Sequence, residues 1–293
     1  MKVAVFGSII SREMAPVLEK LFGHLERLKV KTYLYHPFLE NLVQQTSLNP
    51  VVAGTFRSGE EMEDDIRYLF SIGGDGTFLH SFLAIRRFDI PVVGINIGRL
   101  GFLADISQEH IIDGVSDILN GNYTLAERSL LEVKMHGAPD FDFNYALNEM
   151  TVSKTDSSSM IRIDAWINGE HMNSIWADGL IIATPTGSTA YSLSVGGPIL
   201  TPDAENFVIT PIAPHNLTVR PVVVPDHYEI LLKLDGRGSQ YLTSLDSRSV
   251  NVDLSTTITV KKADFKLKTI HLPNQSFFNT IRNKLMWGAD RRN

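Results

Sequence analysis

The sequence predicts an α/β first third, a parallel sheet with helices on both faces, joined to a mainly antiparallel β domain. Two observations carry this. Strand-like and helix-like patterns alternate up to about residue 120, the grammar of βαβ units. After Tyr123 the pattern changes to strands separated by turns. The 293 residues are 43% hydrophobic and 20% charged, a folded chain with room for one large or two ordinary domains.

In order, Val3 to Ser8 reads as a strand, Arg12 to Leu28 as an amphipathic helix and Lys29 to Tyr35 as a second strand. Tyr68 to Ile72 is a third strand running into a glycine cluster, Thr77 to Arg87 a helix, Pro91 to Ile97 a fourth strand and Gln108 to Leu119 another helix, ending near Gly121-Asn122. Then Leu130 to Met135, Phe143 to Ser153, Met160 to Ile167 and His171 to Ala183 read as strands, with Asn168-Gly169 as a hairpin turn. Tyr228 to Leu234 and Thr256 to Val260 are further β patterns. From Ser276 to Trp287 helical spacing returns, with Phe277, Phe278, Ile281 and Leu285 on one face.

Composition excludes several functions. Lys and Arg total 27 against 33 Asp and Glu, a net charge of −6 that argues against coating nucleic acid or an anionic membrane. There is no cysteine, hence no disulfide, thiol nucleophile or thiolate metal site, which fits a reducing cytoplasm. The nine histidines show no metal-ligand spacing. Gly179 to Pro202 is 24 residues without a formal charge, but only ten are hydrophobic, and its Gly, Pro, Ser and Thr rule out a membrane span. The start, MKVAVFGSII, meets Arg12 and Glu13 too soon for a signal peptide and reads as a strand.

Three local features carry chemistry. Gly73-Gly74-Asp75-Gly76-Thr77 lies directly between a strand and a helix, where bare amides and the helix N-terminus suit phosphate. It is neither a Walker A loop nor GxGxxG, since the lysine and the glycine spacing are missing. A tight turn with Asp75 as N-cap is the other reading of the pentapeptide. As a carboxylate at the C-terminal edge of a parallel sheet, Asp75 would suit proton acceptance from an attacking hydroxyl. Asn148-Glu149 interrupts a β-favouring run, and alternation sends the pair to opposite faces; ribose or base contacts compete with ordinary strand polarity. The buried run Leu180 to Ala183, after Ala177-Asp178-Gly179, leads into a loop rich in Ser, Thr and Gly with Tyr191 as an aromatic wall. That loop suits a sugar and base ligand, or equally a polar turn capping a helix.

Together and in order, these features resemble the NAD kinase family over nearly the whole chain. The match covers GGDGT at 73–77, the NxGxLGFL pattern from Asn96 to Leu103, Asn148-Glu149, ADGLIIATPTGSTAYSLSVGGPIL at 177–200, NLTVRPVVVP at 216–225 and the Phe277–Gly288 tail. The serine- and threonine-rich stretch is highly specific, whereas GGDG alone is shared with diacylglycerol-type lipid kinases and phosphofructokinases. The resemblance implies transfer of the γ-phosphoryl group of ATP to the adenosine ribose 2'-hydroxyl of NAD, giving NADP, with Asp75 as proton acceptor. It implies Gly73, Gly74 and Gly76 beside Asp75 in the phosphate loop, Asn148 and Glu149 on the adenosine ribose and neighbouring groups, and Asp178 at the nicotinamide end. Thr189, Ala190, Tyr191, Ser192, Leu193 and Ser194 would line the NAD pocket.

The implied architecture is a Rossmann-like α/β domain at 1–122, a β-rich NAD-binding domain at 123–275 and a C-terminal helix at 276–293 packing on the first domain. Mg²⁺ or another divalent cation is expected with ATP, since the phosphates carry more charge than the amides of an acidic chain neutralise alone. No protein ligand for that metal is assigned. A cytoplasmic homo-oligomer, dimer or tetramer, is expected, with NAD and ATP as partners and neither nucleic acid nor membrane. The sequence departs from the family at Asp246-Ser247-Arg248, where relatives carry Asp-Gly-Gln or Asp-Ser-Gln, making Arg248 the candidate contact in place of an amide. Trp176 holds a position that can be basic in relatives. A lipid kinase would need an apolar acceptor pocket or membrane face, and no basic amphipathic stretch supports one. A non-catalytic dinucleotide sensor would have no use for Asp75.

Overall fold

The computed structural model describes residues 1–8, 12–86, 89–98, 101–104, 106–155, 160–273 and 275–288. The chain forms two compact units, one of residues 1–127 and 267–293, the other of residues 128–266.

The first unit is built on an eight-stranded sheet. Its order is Gly54–Phe56, Lys31–Tyr35, Lys2–Gly7, Ile66–Ile72, Val92–Asn96, Leu267–His271 and Thr124–Arg128, with Ile106–Ser107 also beside Val92–Asn96. The first five are parallel neighbours. Val3 to Gly7 and Val92 to Asn96 are buried at every residue, as strands covered on both faces must be. Strands are added outward from Lys2–Gly7 on one side and then, beginning with Ile66–Ile72, on the other. That reversal leaves a crevice beyond the carboxyl ends of these two strands, where open parallel sheets gather their ligands.

Helix Ala15–Arg27 follows a 3₁₀ turn at Arg12–Met14 and buries Leu18, Leu21, Phe22 and Leu25, a stripe at helical spacing. Helix Asp75–Ile85 begins two residues before its expected start and ends at Arg86, which takes a left-handed φ of 50°. Arg87, expected to be its last residue, lies outside the described residues, as do Arg99 and Leu100 of the NxGxLGFL pattern. Helix Ile111–Asn120 stops at Gly121, whose φ of 84° suits a residue without a side chain. Helix His36–Thr46 was not legible in the sequence. Only Phe38 and Leu42 are buried on it, too thin a stripe to register as periodicity.

The second unit stacks two six-stranded antiparallel sheets. One runs Val222–Pro225, Asn206–Ile212, Gly179–Ala183, Glu149–Lys154, Gln240–Leu245 and Arg248–Asp253; the other runs Glu170–Ala177, Ile161–Ile167, Ile230–Asp235, Thr257–Lys262, Leu131–His136 and Tyr145–Ala146. Their inner faces share one core, with Met150, Val152, Leu180, Ile182 and Tyr241 meeting Val133, Ile163, Ile230, Leu232 and Ile258. Two segments that read as single strands are each broken. Tyr145–Ala146 and Glu149–Lys154 lie in different sheets, and so do Glu170–Ala177 and Gly179–Ala183. The chain thus changes sheet at Leu147-Asn148 and again at Asp178.

No helix among the described residues is long and apolar enough to cross a membrane. The C-terminal helix Phe277–Leu285 belongs to the first unit, and its Ser276 cap accepts a hydrogen bond from the Asn279 amide at 3.4 Å. Ile281 is buried and Phe277 lies 6.4 Å from the Phe102 ring, whereas Phe278 and Leu285 of the expected apolar face are exposed. Removing residues 276–293 should lower the melting temperature by about 4 °C or more, since burial of a side chain such as Ile281 contributes about 2 kcal/mol or more. An unchanged thermal unfolding curve would show that this helix adds nothing to the unit.

Candidate active site

The candidate residues fall into two groups, one in each unit. In the first, the Ile66–Ile72 strand delivers Gly73, whose amide donates to Ile95 O at 2.9 Å and whose φ is 151°. A Cβ there would stand 2.3 Å from Thr77 Oγ1, so the turn demands glycine. Gly74, in extended conformation, takes the N-cap position with no side-chain cap, and Asp75 is the first residue inside the helix. Ser8, Gly73, Gly74, Thr77, Asn96 and Gly98 line a cavity of about 310 Å³. Ser8 Oγ and Thr77 Oγ1 are 2.9 Å apart, and Asn96 Oδ1 accepts from the Gly98 amide at 2.8 Å. Hydroxyls, amides and a helix N-terminus converge here, a setting that favours an anion.

Asp75 does not cap its helix. Its Oδ2 accepts from the Phe102 amide at 2.8 Å and its Oδ1 from the Leu103 amide at 2.9 Å, pinning a segment 27 and 28 residues away. Gly101 makes this possible, because a Cβ on it would fall 2.0 Å from Asp75 Oδ1. Lys284 Nζ, from the C-terminal helix, stands 3.4 Å from Asp75 Oδ2 and 4.3 Å from the centre of the Phe102 ring. The stretches that hold Lys284, Phe102 and Leu103 were recognised in the sequence as motifs, but no role was given to these residues, since nothing there links positions 209 residues apart.

The second group gathers where the chain changes sheet. Asn148 sits in the crossing and Glu149 opens the next strand, so they are not the two faces of one strand. Asp246, in the two-residue turn between Gln240–Leu245 and Arg248–Asp253, accepts from the amides of Leu147, Asn148 and Glu149 at 2.9, 2.8 and 3.2 Å. Its own amide donates to Glu149 O at 3.0 Å. Glu149 is buried, and its Oε2 meets no hydrogen-bond donor among the described atoms. Burial, with the nearby Asp246 carboxylate adding to it, pushes the Glu149 carboxyl up to about 8, against the pull of the Tyr191 amide. Burial pushes Asp246 up as well, opposed by its three amide donors and by Arg248.

Arg248 reaches inward. Its guanidinium donates to the carbonyls of Phe143 and Tyr145 and lies over the rings of Phe141 and Phe143. The hydroxyl-rich loop packs against the same crossing. Thr184 Oγ1 donates to Leu147 O at 2.6 Å, and a Cβ on Gly187 would lie 2.0 Å from Asn148 O. Gly187–Thr189 forms a 3₁₀ turn and Tyr191–Ser194 a single helical turn, joined at Ala190. Ser192 is fully buried with Oγ 2.9 Å from Thr210 Oγ1, while Tyr191 and Ser194 are exposed and Thr189, Ala190 and Leu193 partly so. Asp178, at the second crossing, pairs with Lys154 at 2.7 Å beside the exposed Trp176.

Residues 13–123 match the family described as the ATP-NAD kinase N-terminal domain, and residues 147–272 match its C-terminal domain. A curated NAD kinase of Flavobacterium psychrophilum is 46% identical over all of both chains, and one of Bacteroides fragilis is 42% identical, again over all of both. Among solved structures, yeast NADH kinase complexed with NADH superposes with a TM-score of 0.86 at 22% identity, covering 99% of this chain and 88% of that one. An NAD kinase from Archaeoglobus fulgidus in complex with ATP superposes with a TM-score of 0.75 at 26% identity, covering 98% and 99%.

The Glu149 carboxyl has a consequence for stability. The folded chain keeps its proton up to about pH 8, whereas an unfolded glutamate releases it near its ordinary value of about 4.3. Between these values the unfolded state binds fewer protons, so stability falls as pH rises, by at most about 1.4 kcal/mol per pH unit from this group. Glu149→Gln removes the titration, and its melting temperature should fall less than that of the parent between pH 5.5 and 8. Parallel melting curves across that range would mean that Glu149 is already ionised in the fold.

Proposed function

The chain belongs to the NAD kinase family and has NAD kinase function, a phosphoryl transfer, and on that premise we propose how its residues carry the reaction. The γ-phosphoryl group of ATP passes to the adenosine ribose 2'-hydroxyl of NAD. The new bond joins the ribose oxygen to phosphorus, the bridging bond to the β-phosphate breaks, and the hydroxyl proton goes to Asp75. ADP and NADP leave. The observation that carries this reading is the Asp75 carboxylate, fixed by the amides of Phe102 and Leu103 directly after Gly73 and Gly74, which line an anion-suited cavity. A group held this firmly needs no reorganisation as the proton moves.

In this proposal the amides of Gly73, Gly74 and Gly76 hold donor phosphates. Asn148 and Glu149 serve the adenosine ribose and its neighbours, Asp178 the nicotinamide end, and Thr189, Ala190, Tyr191, Ser192, Leu193 and Ser194 line the NAD pocket. Ser192 acts there through its backbone, since its hydroxyl is engaged with Thr210. Arg248 serves the same pocket at one remove, by holding the Phe143 and Tyr145 carbonyls. NADH appears with the yeast relative and ATP with the archaeal one, and both support a dinucleotide and a nucleoside triphosphate as ligands here.

A divalent cation fits as a companion of the triphosphate. No group of three or more His, Asp or Glu among the described residues could hold a metal ion, and Mg²⁺ ordinarily binds through substrate phosphates and one or two carboxylates. The phosphates themselves would hold the ion, and no side chain is assigned to it. With the phosphates the ion would offset negative charge on the transferred group. We also place the reaction in the cytoplasm, in keeping with a chain without cysteine, and the chain in a homo-oligomer, a dimer or tetramer. Exposed Val222 and Val223 on the edge strand Val222–Pro225 support the latter.

Asp75→Asn tests the proton acceptor. Turnover should fall about 10²- to 10⁴-fold with NAD affinity largely kept. An asparagine oxygen can accept from only one of the two amides, so a stability loss of about 1–2 kcal/mol should accompany it. Measuring turnover, NAD affinity and the melting temperature on the one variant separates the two effects, and near-normal turnover would end the assignment.

A further inference from the structure

The glycine loop has a deficit that its own sequence does not repair. It lacks the lysine with which other phosphate loops reach the terminal phosphates, and it carries a carboxylate, Asp75, at the first residue of the helix whose N-terminus faces the cavity. Negative charge there repels the anion that the amides attract. The C-terminal helix supplies what is missing, since Lys284 Nζ stands 3.4 Å from Asp75 Oδ2. Two amides occupy part of the carboxylate's acceptor capacity, from Phe102 and Leu103, and the ammonium takes a further share while lying over the Phe102 ring.

We propose that Lys284 is the cation of the donor-phosphate site: it contacts the terminal phosphate of the bound triphosphate while offsetting the Asp75 charge. This rests on the reading of the glycine loop as the donor site. Lysine suits the task because its ammonium is a compact charge with three donors on a flexible stem. Its side chain is 32% exposed, which leaves it free to turn from carboxylate to phosphate oxygen. A residue near the carboxyl end of the chain thereby does what a lysine inside the loop does elsewhere. Loss of the last helix would then cost donor affinity as well as stability.

The test uses the full chain with Lys284→Ala, Lys284→Arg and Lys284→Met, the last keeping the apolar stem over Phe102. Steady-state kinetics give KM for ATP and for NAD separately, and calorimetry with inorganic triphosphate reads donor-site affinity without turnover. For the alanine and methionine variants KM for ATP should rise and triphosphate affinity should fall, each by about 10- to 100-fold, the range for a charge-assisted contact. KM for NAD should change less than about twofold, and arginine should restore most of the loss. If Lys284 only anchors its helix, the melting temperature drops while triphosphate affinity and KM for ATP stay put, and the proposal is overturned. Asp75→Asn distinguishes the premises. Weakened triphosphate binding in Lys284→Ala beside normal turnover in Asp75→Asn would remove the proton acceptor and keep Lys284. The opposite pair of results would do the reverse.

Discussion

A backbone N–H that leaves a sheet or helix away from water must find an acceptor, and in both units that acceptor is an aspartate from far along the chain. Asp75 collects the amides of Phe102 and Leu103, and Asp246 collects those of Leu147, Asn148 and Glu149. A carboxylate can do this because it has two oxygens and about four lone-pair sites, where a neutral side chain has fewer. In each unit the segment gathered in this way carries or borders the candidate chemistry. The loop beyond strand Val92–Asn96 of the first unit is tied to the start of helix Asp75–Ile85. The sheet crossing of the second unit is tied to a hairpin turn almost one hundred residues later.

The same two carboxylates face different electrostatic surroundings. Asp75 has a cation beside it in Lys284 and remains partly exposed, so its negative charge is tolerated. Asp246 has Arg248 nearby but shares its surroundings with Glu149, whose Oε2 is buried without a donor. The three amides on Asp246 favour its charged form against the burial that raises it, whereas Glu149 has burial and the Asp246 carboxylate both pushing it up to about 8. Glu149 is left as the protonated partner, able to donate as well as accept. For a residue proposed to hold a ribose, that doubles the ways in which it can meet a hydroxyl.

Close backbone approach is the second constraint. Gly101 lies against Asp75, Gly187 against the Asn148 carbonyl and Gly94 against the Ala104 backbone, and in each case a Cβ would sit 2.0–2.4 Å from its neighbour. Each of these glycines lies in a stretch that can be recognised in the sequence, yet the reason for it is a partner distant in the chain. Gly74 and Gly76, in contrast, have open space where a Cβ would be, so what they contribute is bare amide and not room.

The sequence by itself determined the class of both units and the place of the glycine loop, because those rest on local periodicity and on one uninterrupted strand–glycine–helix run. It also carried the family resemblance through the stretch from Ala177 to Leu200, whose hydroxyls and glycines are contiguous. Tertiary structure alone decided the rest. Phe143 to Ser153 and His171 to Ala183 are each β-favouring throughout, so nothing local marks the residues at which the chain passes from one sheet to the other; at the first crossing Asp246 takes the Leu147, Asn148 and Glu149 amides, and at the second the Asp178 amide donates to Ile212 O. The other reading of Asp75, as an N-cap, likewise gave way to acceptor geometry with two distant amides. Lys284 joined the loop only through folding, since a contact across 209 residues leaves no periodic trace in a single chain.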